Sequence, residues 1–159
     1  MKDIKTMQYD LIIKTIQNQI TNEKDDLARI SNILAIIYEY AEDISWIGFY
    51  FKKDDLVLGP FQGKSACTRL NGKGVCWKAF TQEKTIIIDD VTKEKDHIFC
   101  DSSSKSEIVT VIYNKNIPIG VLDCDSAITH RFKKEDRAFF EEITNILSNE
   151  INFSKFTQI

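Results

Sequence analysis

The sequence predicts an α+β fold, an antiparallel sheet of five or six strands with the N- and C-terminal helices packed on one face. Three observations predict it. Apolar residues recur at helical spacing near both ends of the chain, short β-branched and aromatic runs alternate with polar turns in the middle, and two long polar loops interrupt those runs. With 159 residues and 43% hydrophobic content, we expect one domain, over residues 1–159.

Two helices are predicted at the start of the chain. The apolar residues from Tyr9 to Ile20 fall at helical spacing, and Asn22 is then a candidate cap for a second helix that runs to about Tyr40. The predicted buried stripe of the second helix consists of Leu27, Ile30, Leu34 and Ile37.

Hairpins are predicted in the middle of the chain. Residues 45–51 form a strand, residues 52–55 a turn, and Leu56 begins the return strand. The next predicted elements are a glycine-rich loop (63–74), a short helix (75–80), a strand (85–89), a second long loop (90–106), and a central hairpin (108–113 and 117–122) with its turn at 114–116. The last helix, residues 134–153, carries an apolar side and should pack on the sheet beside the N-terminal helices.

Charge and hydropathy exclude several classes of partner. The net charge is −3, with 21 basic and 24 acidic residues interspersed, so no basic tract is present to follow a phosphate backbone. No stretch approaches the length of a membrane span, and the N-terminus lacks the features of a secretion signal. We therefore expect a cytoplasmic protein that binds neither nucleic acid nor membrane.

Cysteines are concentrated in the two long loops. Cys67 and Cys76 lie in or beside the first loop, and Cys100 lies in the second, among turn-forming residues. Loops of this length are uncommon unless they are functional, so a site is predicted between them. In a reducing compartment such thiols are expected to be free, catalytic or metal-bound. Cys-x-x-Cys pairs are absent, and His97 with Cys100 is the only short-range ligand pair, so we expect no metal.

The residues alone leave the role of each cysteine open. Cys100 is either a reactive thiol or an ordinary loop thiol, because reactivity depends on surroundings that a sequence does not show. Cys76, at the start of a helix, is either a packing residue or an auxiliary thiol. Cys124 lies in a strand between two aspartates and is predicted to belong to the core.

Strand alternation groups the candidate acids. Asp123 and Asp125 are two residues apart, so both carboxylates face one side of their strand, opposite Leu122 and Cys124. Burial beside Glu107 would raise at least one carboxyl pKa and leave a proton to donate. The alternative is a solvated strand end with ordinary carboxylates.

Two aromatic residues share a face of the first strand. Trp46 and Tyr50 are four residues apart, and Gly48 lies between them on the same face. Such residues are usually core, but their polar tips and the gap at Gly48 also suit the wall of a binding site. His97 is interpreted as structural.

Seven segments carry a resemblance to the free methionine-(R)-sulfoxide reductases, which are single-domain enzymes of the GAF fold. The segments run in family order: residues 45–50 (SWIGFY), 58–64 (LGPFQGK), 66–69 (ACTR), 72–76 (GKGVC), 97–102 (HIFCDS), 106–109 (SEIV) and 120–126 (GVLDCDS). The resemblance as a whole covers about residues 28–143. The chain departs from the family pattern at Trp77 and Lys105, in the shorter interval between Cys67 and Cys76, and in the additional Cys124.

The resemblance implies a reaction and the residues that carry it. Cys100 would attack the sulfoxide and become a sulfenic acid, and Cys67 would then form a disulfide with it, which thioredoxin or a similar dithiol reduces. Cys76 is a possible auxiliary resolving thiol. Glu107 and Asp125 would be catalytic acids, and the proton donor is one of Glu107, Asp123 and Asp125. The free amino acid would be bound by Trp46, Tyr50, Glu107, Asp123 and Asp125. No metal or organic cofactor is needed, and the enzyme would be a homodimer.

Two other functions compete with the reductase. GAF domains more often sense small molecules than catalyse reactions, so a binding module is one alternative. A metal-binding or redox-sensing protein that uses Cys67, Cys76, Cys100 and His97 is the other.

Overall fold

The computed structural model describes residues 1–94 and 102–158 and contains a six-stranded antiparallel sheet with four α-helices. The helices are α1 (Ile4–Asn22), α2 (Asp26–Tyr40), α3 (Gly74–Gln82) and α4 (Lys134–Glu150). The strands are β1 (Trp46–Lys52), β2 (Leu56–Gln62), β3 (Arg69–Leu70), β4 (Ile86–Ile88), β5 (Ser106–Asn114) and β6 (Ile117–Ser126). The strand order is β3-β2-β1-β6-β5-β4, which confirms the predicted fold class.

The helices near the two ends of the chain cover one face of the sheet. The main core contains apolar residues of α1, α2 and α4 together with Phe49 and Phe51 of β1, Ile108 and Ile112 of β5, and Leu122 of β6. Residues of strands alternate between faces, so these side chains mark the helix-covered side. The predicted packing of the last helix on the sheet beside the N-terminal helices is confirmed.

The opposite face of the sheet is partly covered. A second apolar cluster joins Tyr50, Val109 and Val121 of the sheet to Val75 and Ala79 of α3. This face is not open along its whole length, because α3 packs on part of it. The space that remains lies between the sheet and the start of α3.

Two predictions about α2 are wrong. Its N-cap is Asp25, whose side chain accepts a hydrogen bond from the Ala28 N–H, whereas Asn22 is the last residue of α1 and bonds back to Asn18. Leu27 is 50% exposed, because the buried stripe of α2 begins one turn later. That stripe consists of Ile30, Ile33, Leu34 and Ile37.

The other boundaries differ by a few residues from those predicted. The glycine-rich loop contains the short strand β3, and β6 extends through Ser126, so that Asp123 and Asp125 lie inside the strand. The turn between β5 and β6 places Lys115 and Asn116 at positive φ, as a type I′ hairpin requires. In the described part of the chain, no helix combines the length and apolarity needed to cross a bilayer.

Candidate active site

A cavity lies between the sheet and the first turn of α3. It encloses about 550 Å³ of space between atoms, including part of the open solvent at its mouth. Six predicted site residues line it: Trp46, Tyr50, Cys76, Glu107, Asp123 and Asp125. Ser65, Ala66, Leu70, Lys73, Gly74, Val75 and Ser104 complete the lining.

Three carboxyl groups come together from the central hairpin. Glu107 of β5 lies directly opposite Asp125 of β6, and Asp123 lies two residues along the same strand. Strand alternation therefore places all three on the cavity side, while Cys124 is fully buried on the helix-covered side. Glu107 and Asp123 are 4% and 7% exposed, which removes the alternative of a solvated strand end.

Burial dominates the electrostatics of this pair. Burial, and next the neighbouring charge of Asp123, raises the pKa of Glu107 well above its ordinary value. Burial also raises the pKa of Asp123 to about 6, although hydrogen bonds from Glu107 and Cys76 lower it in part. Glu107 is thus the group that keeps its proton, and Asp123 is the acceptor. A proton donor at neutral pH is thereby available in the cavity.

Cys76 belongs to the same cluster. It is a free, buried thiol in the first turn of α3, and burial followed by the charge of Asp123 raises its pKa. Cys76, Glu107 and Asp123 each offer one possible metal ligand, and these atoms lie within 4.8 Å of one another. A metal bound there would require Cys76 and Glu107 to lose their protons. The metal-binding alternative has two described residues, Cys67 and Cys76, and of these only Cys76 is in this group.

The aromatic wall is held by backbone carbonyls. The Trp46 indole N–H donates to the Lys64 carbonyl at 3.0 Å, and the Tyr50 hydroxyl donates to the Cys67 carbonyl at 2.9 Å. The two ring centroids are 6.1 Å apart. The absence of a side chain at Gly48 makes room for the indole, since a Cβ there would lie 2.4 Å from Trp46 Cη2.

The redox residues are only partly within the described structure. Cys67 is half-buried, packs against the cluster on the α3 side, and is connected to the aromatic wall through its carbonyl. Cys100 and His97 lie outside the described residues. Cys124 is a free, buried thiol in the helix-covered core, as predicted.

Ser104 and residues 73–75 at the start of α3 line the cavity but were not predicted from the sequence as site residues. Ser104 is 5% exposed, lines the cavity, and its Oγ has no hydrogen-bond partner among residues 1–94 and 102–158. In the sequence it is one of three consecutive serines that were interpreted together as turn residues, and only burial distinguishes it from Ser102, which is exposed.

Comparisons with known proteins identify the family. The GAF domain family matches residues 27–151. GAF domain-containing protein A of Dictyostelium discoideum is 41% identical over 93% of this chain and 95% of its own length. The free methionine-R-sulfoxide reductase of Escherichia coli is 45% identical over 83% of this chain and 81% of its own length.

Solved structures agree with the sequence comparison. The free methionine-R-sulfoxide reductase of Neisseria meningitidis, in complex with its substrate, matches with a TM-score of 0.90 and 35% identity, over 98% of this chain and 95% of its own. The fold, the sequence identity over most of both chains and the cavity all support the same assignment. The chain therefore belongs to the GAF domain family and, within it, to the free methionine-R-sulfoxide reductases.

Proposed function

We propose that this protein reduces free L-methionine-(R)-sulfoxide to L-methionine. The observation that carries the proposal is the cavity, in which an aromatic wall of Trp46 and Tyr50 faces a buried carboxyl pair that keeps a proton. The aromatic wall can contact the S-methyl group of the substrate, and the protonated carboxyl group can donate its proton to the sulfinyl oxygen. The named reductases of Escherichia coli and Neisseria meningitidis support the same substrate.

In the first step, the Cys100 thiolate attacks the electrophilic sulfur of the sulfoxide. The sulfinyl oxygen accepts a proton from the acid cluster and passes to the Cys100 sulfur, which becomes a sulfenic acid. The substrate sulfur is reduced to the thioether and methionine leaves. The resemblance assigns this role to Cys100, and the polar residues around it in the sequence suit an accessible thiol.

In the second step, a neighbouring thiol condenses with the sulfenic acid and releases water. Cys67 is the proposed resolving thiol, and its backbone already contacts Tyr50 of the cavity wall. An external dithiol such as thioredoxin then reduces the disulfide by exchange and returns both thiols. Cys76 is a candidate auxiliary thiol because it lies in the cavity. The cycle needs no metal or organic cofactor. A cytoplasmic homodimer is part of the same proposal.

Glu107 is the proposed proton donor. Its raised pKa keeps the carboxyl protonated at neutral pH, and its hydrogen bond with Asp123 leaves that pair with one shared proton. Asp125 is opposite Glu107 in the register and less buried, so it is a second candidate donor and a partner for the substrate ammonium.

The direct test is an assay of methionine formation from each epimer of free methionine sulfoxide. Dithiothreitol and thioredoxin with its reductase serve as alternative reductants. We expect turnover of the R epimer with both. No turnover by folded, reduced protein, with retained binding of a small ligand, would favour the binding module instead.

Single-turnover experiments separate the two cysteines. Cys100→Ser should release no methionine, since the nucleophile is lost. Cys67→Ser should release one equivalent of methionine and leave a sulfenic acid that dimedone traps, because the chemistry precedes the resolution. Exchange of these two results would exchange the assigned roles.

The acid cluster also predicts selectivity for the free amino acid. An α-ammonium balances the carboxylates, whereas an N-acetyl group or a peptide bond leaves them without a cationic partner. The kcat/KM for N-acetyl-methionine-(R)-sulfoxide should fall by roughly a hundredfold or more, given the cost of an unpaired buried charge. Equal kcat/KM values for the two substrates would limit the cluster to proton transfer.

A further inference from the structure

Three side chains that can ligate a metal ion meet inside the cavity. Cys76 lies in the first turn of α3, Glu107 lies on β5 and Asp123 lies on β6. One donor atom of each residue lies within 4.8 Å of the other two, and all three residues are buried. A cation bound among them would therefore be held by three different elements and largely shielded from bulk water.

The elements that carry these ligands are fixed by packing. Asp123 pairs with Val109 across the central hairpin, and α3 packs on the two strands through an apolar cluster that includes Val75, Ala79 and Val121. The ligand atoms of a tetrahedral zinc ion are roughly 3.3–3.8 Å apart, as bond lengths of about 2.0–2.3 Å require. Small side-chain rotations on a fixed backbone therefore suffice to form such a site.

Two buried oxygens independently indicate a ligand in this cavity. Ser104 is 5% exposed and lines the cavity, and its Oγ has no hydrogen-bond partner among the residues that the structure describes. The Oδ1 oxygen of Asp123 is likewise buried without a partner in that part of the chain. Buried polar atoms are normally satisfied, because an unmade hydrogen bond costs free energy. A cation would bind the Asp123 oxygen directly, and a water on that cation would donate to Ser104.

The types of ligand indicate the class of metal. One thiolate with two carboxylates suits Zn²⁺, which takes sulfur and oxygen ligands, whereas Mg²⁺ and Ca²⁺ prefer oxygen ligands alone. Zinc sites with three protein ligands keep their fourth position for water. The cavity is partly open to solvent, so both the cation and this water can enter.

The charge of the cluster also suits a divalent cation. Burial raises the pKa values of Cys76 and Glu107, which therefore hold protons, and Asp123 accepts hydrogen bonds from both. A bound Zn²⁺ would replace these two protons, so the net charge of the buried cluster would not change. Binding should weaken at lower pH, because protons compete with the metal for the same groups.

We propose that Cys76, Glu107 and Asp123 form an inhibitory zinc site in the cavity. Metal binding depends only on this cluster, whereas the inhibitory effect rests on the proposed function. A zinc ion at this position would occupy space that the sulfoxide needs and would replace the proton that Glu107 donates. Reduction of the sulfoxide would stop until the metal is removed.

Cobalt spectroscopy tests the site, since Co²⁺ takes the ligands of zinc and shows a charge-transfer band in the near ultraviolet when a thiolate binds it. The variant Cys67→Ser/Cys100→Ser lacks both proposed redox thiols and should still bind one equivalent of Co²⁺ with this band. Addition of Cys76→Ala should abolish the band. Addition of Cys124→Ala is the matched control and should leave it, because Cys124 is buried on the helix-covered side. Loss of cobalt binding while Cys76 is present, or a band that survives Cys76→Ala, would overturn the site.

Glu107→Gln in the same background tests a carboxylate ligand and keeps the proposal testable if the Cys76 variant does not fold. The amide removes one charged ligand, so the dissociation constant for Co²⁺ should rise at least tenfold. Glu142→Gln, exposed in the middle of α4, is the control and should leave this constant unchanged. Equal affinities in the two variants would exclude Glu107 as a ligand and overturn the proposal.

Competition tests the inhibitory effect without turnover. L-methionine should weaken Co²⁺ binding to Cys67→Ser/Cys100→Ser more than glycine at the same concentration, which chelates free Co²⁺ in the same way but lacks the side chain. Simultaneous binding of Co²⁺ and L-methionine would overturn the inhibitory effect.

A single-turnover experiment then measures inhibition and separates the two proposals. Wild-type protein that is reduced beforehand and freed of thiol reductant should release methionine at least tenfold more slowly with one equivalent of Zn²⁺, and EDTA should restore the rate. Unchanged release with zinc bound would overturn the inhibitory effect. No release with or without Zn²⁺, together with the expected cobalt band, would overturn the proposed function and leave the metal site.

Discussion

Individual residues set the protonation of the cavity, and Glu107 is the main one. A carboxyl group whose pKa is raised on folding binds more protons in the folded than in the unfolded state. Its contribution to stability is therefore fully present below the unfolded pKa and is lost as the pH rises through the folded pKa. The buried pair Glu107 and Asp123 therefore lowers the free energy of unfolding at neutral pH, and such a cost is common in active sites.

Glu107→Gln should separate activity from stability. The amide stays neutral, so the variant should unfold at a higher temperature than the wild type at pH 8, by about 2–4 °C for each kcal/mol gained. Its kcat should fall by about a hundredfold to ten-thousandfold, as for the loss of a general acid. Thermal unfolding between pH 5 and 9 and steady-state kinetics measure both effects.

Glu142→Gln is the control, because Glu142 is exposed in the middle of α4, away from both helix ends, and its substitution should change neither the unfolding temperature nor kcat. A Glu107→Gln variant with wild-type kcat would assign the proton donor to Asp123 or Asp125.

The identity of the two cysteines in the proposed disulfide is also decided at the scale of single residues. Oxidation by one equivalent of substrate, followed by alkylation and peptide mapping, should link Cys67 to Cys100. Cys76 should remain a thiol, because burial keeps it protonated and slow to react. A predominant link between Cys76 and Cys100 would instead make Cys76 the resolving thiol, and Cys76→Ser would then block turnover in the same way as the proposed Cys67→Ser.

At the scale of elements, strand β1 combines core and site on its two faces. Ile47 and Phe49 are fully buried on the helix-covered side, while Trp46 and Tyr50 form the cavity wall on the other. At Gly48 the aromatic wall packs directly against the backbone of β1. The ring of Trp46 lies over it, and Phe61 of β2 stacks on that ring with centroids 5.6 Å apart.

Gly48→Ala should therefore damage the cavity wall. The new methyl group would lie 2.4 Å from Trp46 Cη2 and 2.6 Å from Phe61 Cβ, so the indole must move. We expect a stability loss of about 1–3 kcal/mol, as for other overpacked sites, together with a higher KM for methionine sulfoxide. Urea unfolding, indole fluorescence and kinetics measure these changes.

Gly72→Ala provides the comparison. Its Cβ would meet no atom within 4 Å, but its φ of +77° makes any side chain strained. It should lose stability while KM stays at the wild-type value. A higher KM in Gly72→Ala and not in Gly48→Ala would contradict the role assigned to the indole.

At the scale of the whole molecule, one buried carboxylate connects the two ends of the chain. Asp136 in the first turn of α4 is fully buried and accepts hydrogen bonds from Lys5 of α1 and from Arg131, both at 2.7 Å, and from the Tyr9 hydroxyl. Arg131 in turn donates to the Glu42 carbonyl after α2. This network holds α1 against α4 on the face opposite the cavity.

Stability should therefore fall in acid. Burial raises the pKa of Asp136, but the hydrogen bonds from Lys5, Tyr9 and Arg131 outweigh it and hold the pKa below its ordinary value. The resulting stability is present above the unfolded pKa and is lost as the pH falls through the folded pKa.

Asp136→Asn should cost about 3–5 kcal/mol, because it leaves the buried Arg131 charge without its partner. Urea unfolding at pH 7 measures the loss, and at pH 3 the difference from wild type should shrink. Asp10→Asn is the control, since its ion pair with Lys2 is exposed and worth little. Similar losses in both variants would show that the network adds nothing beyond a surface ion pair.

Local patterns in the sequence determined most of the fold. Helical spacing in α1 and α4, alternation in β1 and β6, and the Asn114 to Asn116 turn are local signals, and each element formed where its signal lies. The faces of Asp123, Asp125 and Cys124 also follow from alternation alone. The family was indicated by the resemblance to the free methionine-(R)-sulfoxide reductases, which covers most of the chain.

Only the tertiary structure decided where these elements pack and which groups they bury. A periodic pattern does not show at which residue a helix begins. For that reason Asn22 was wrongly assigned as the cap of α2, and Leu27 was wrongly assigned to its buried stripe. It also does not show which sheet face a short helix covers, so the placement of α3 was not predicted. Burial is a property of the assembled molecule. For that reason Ser104 could not be told from Ser102, and the proton on Glu107 depends on Asp123, a residue on a different strand.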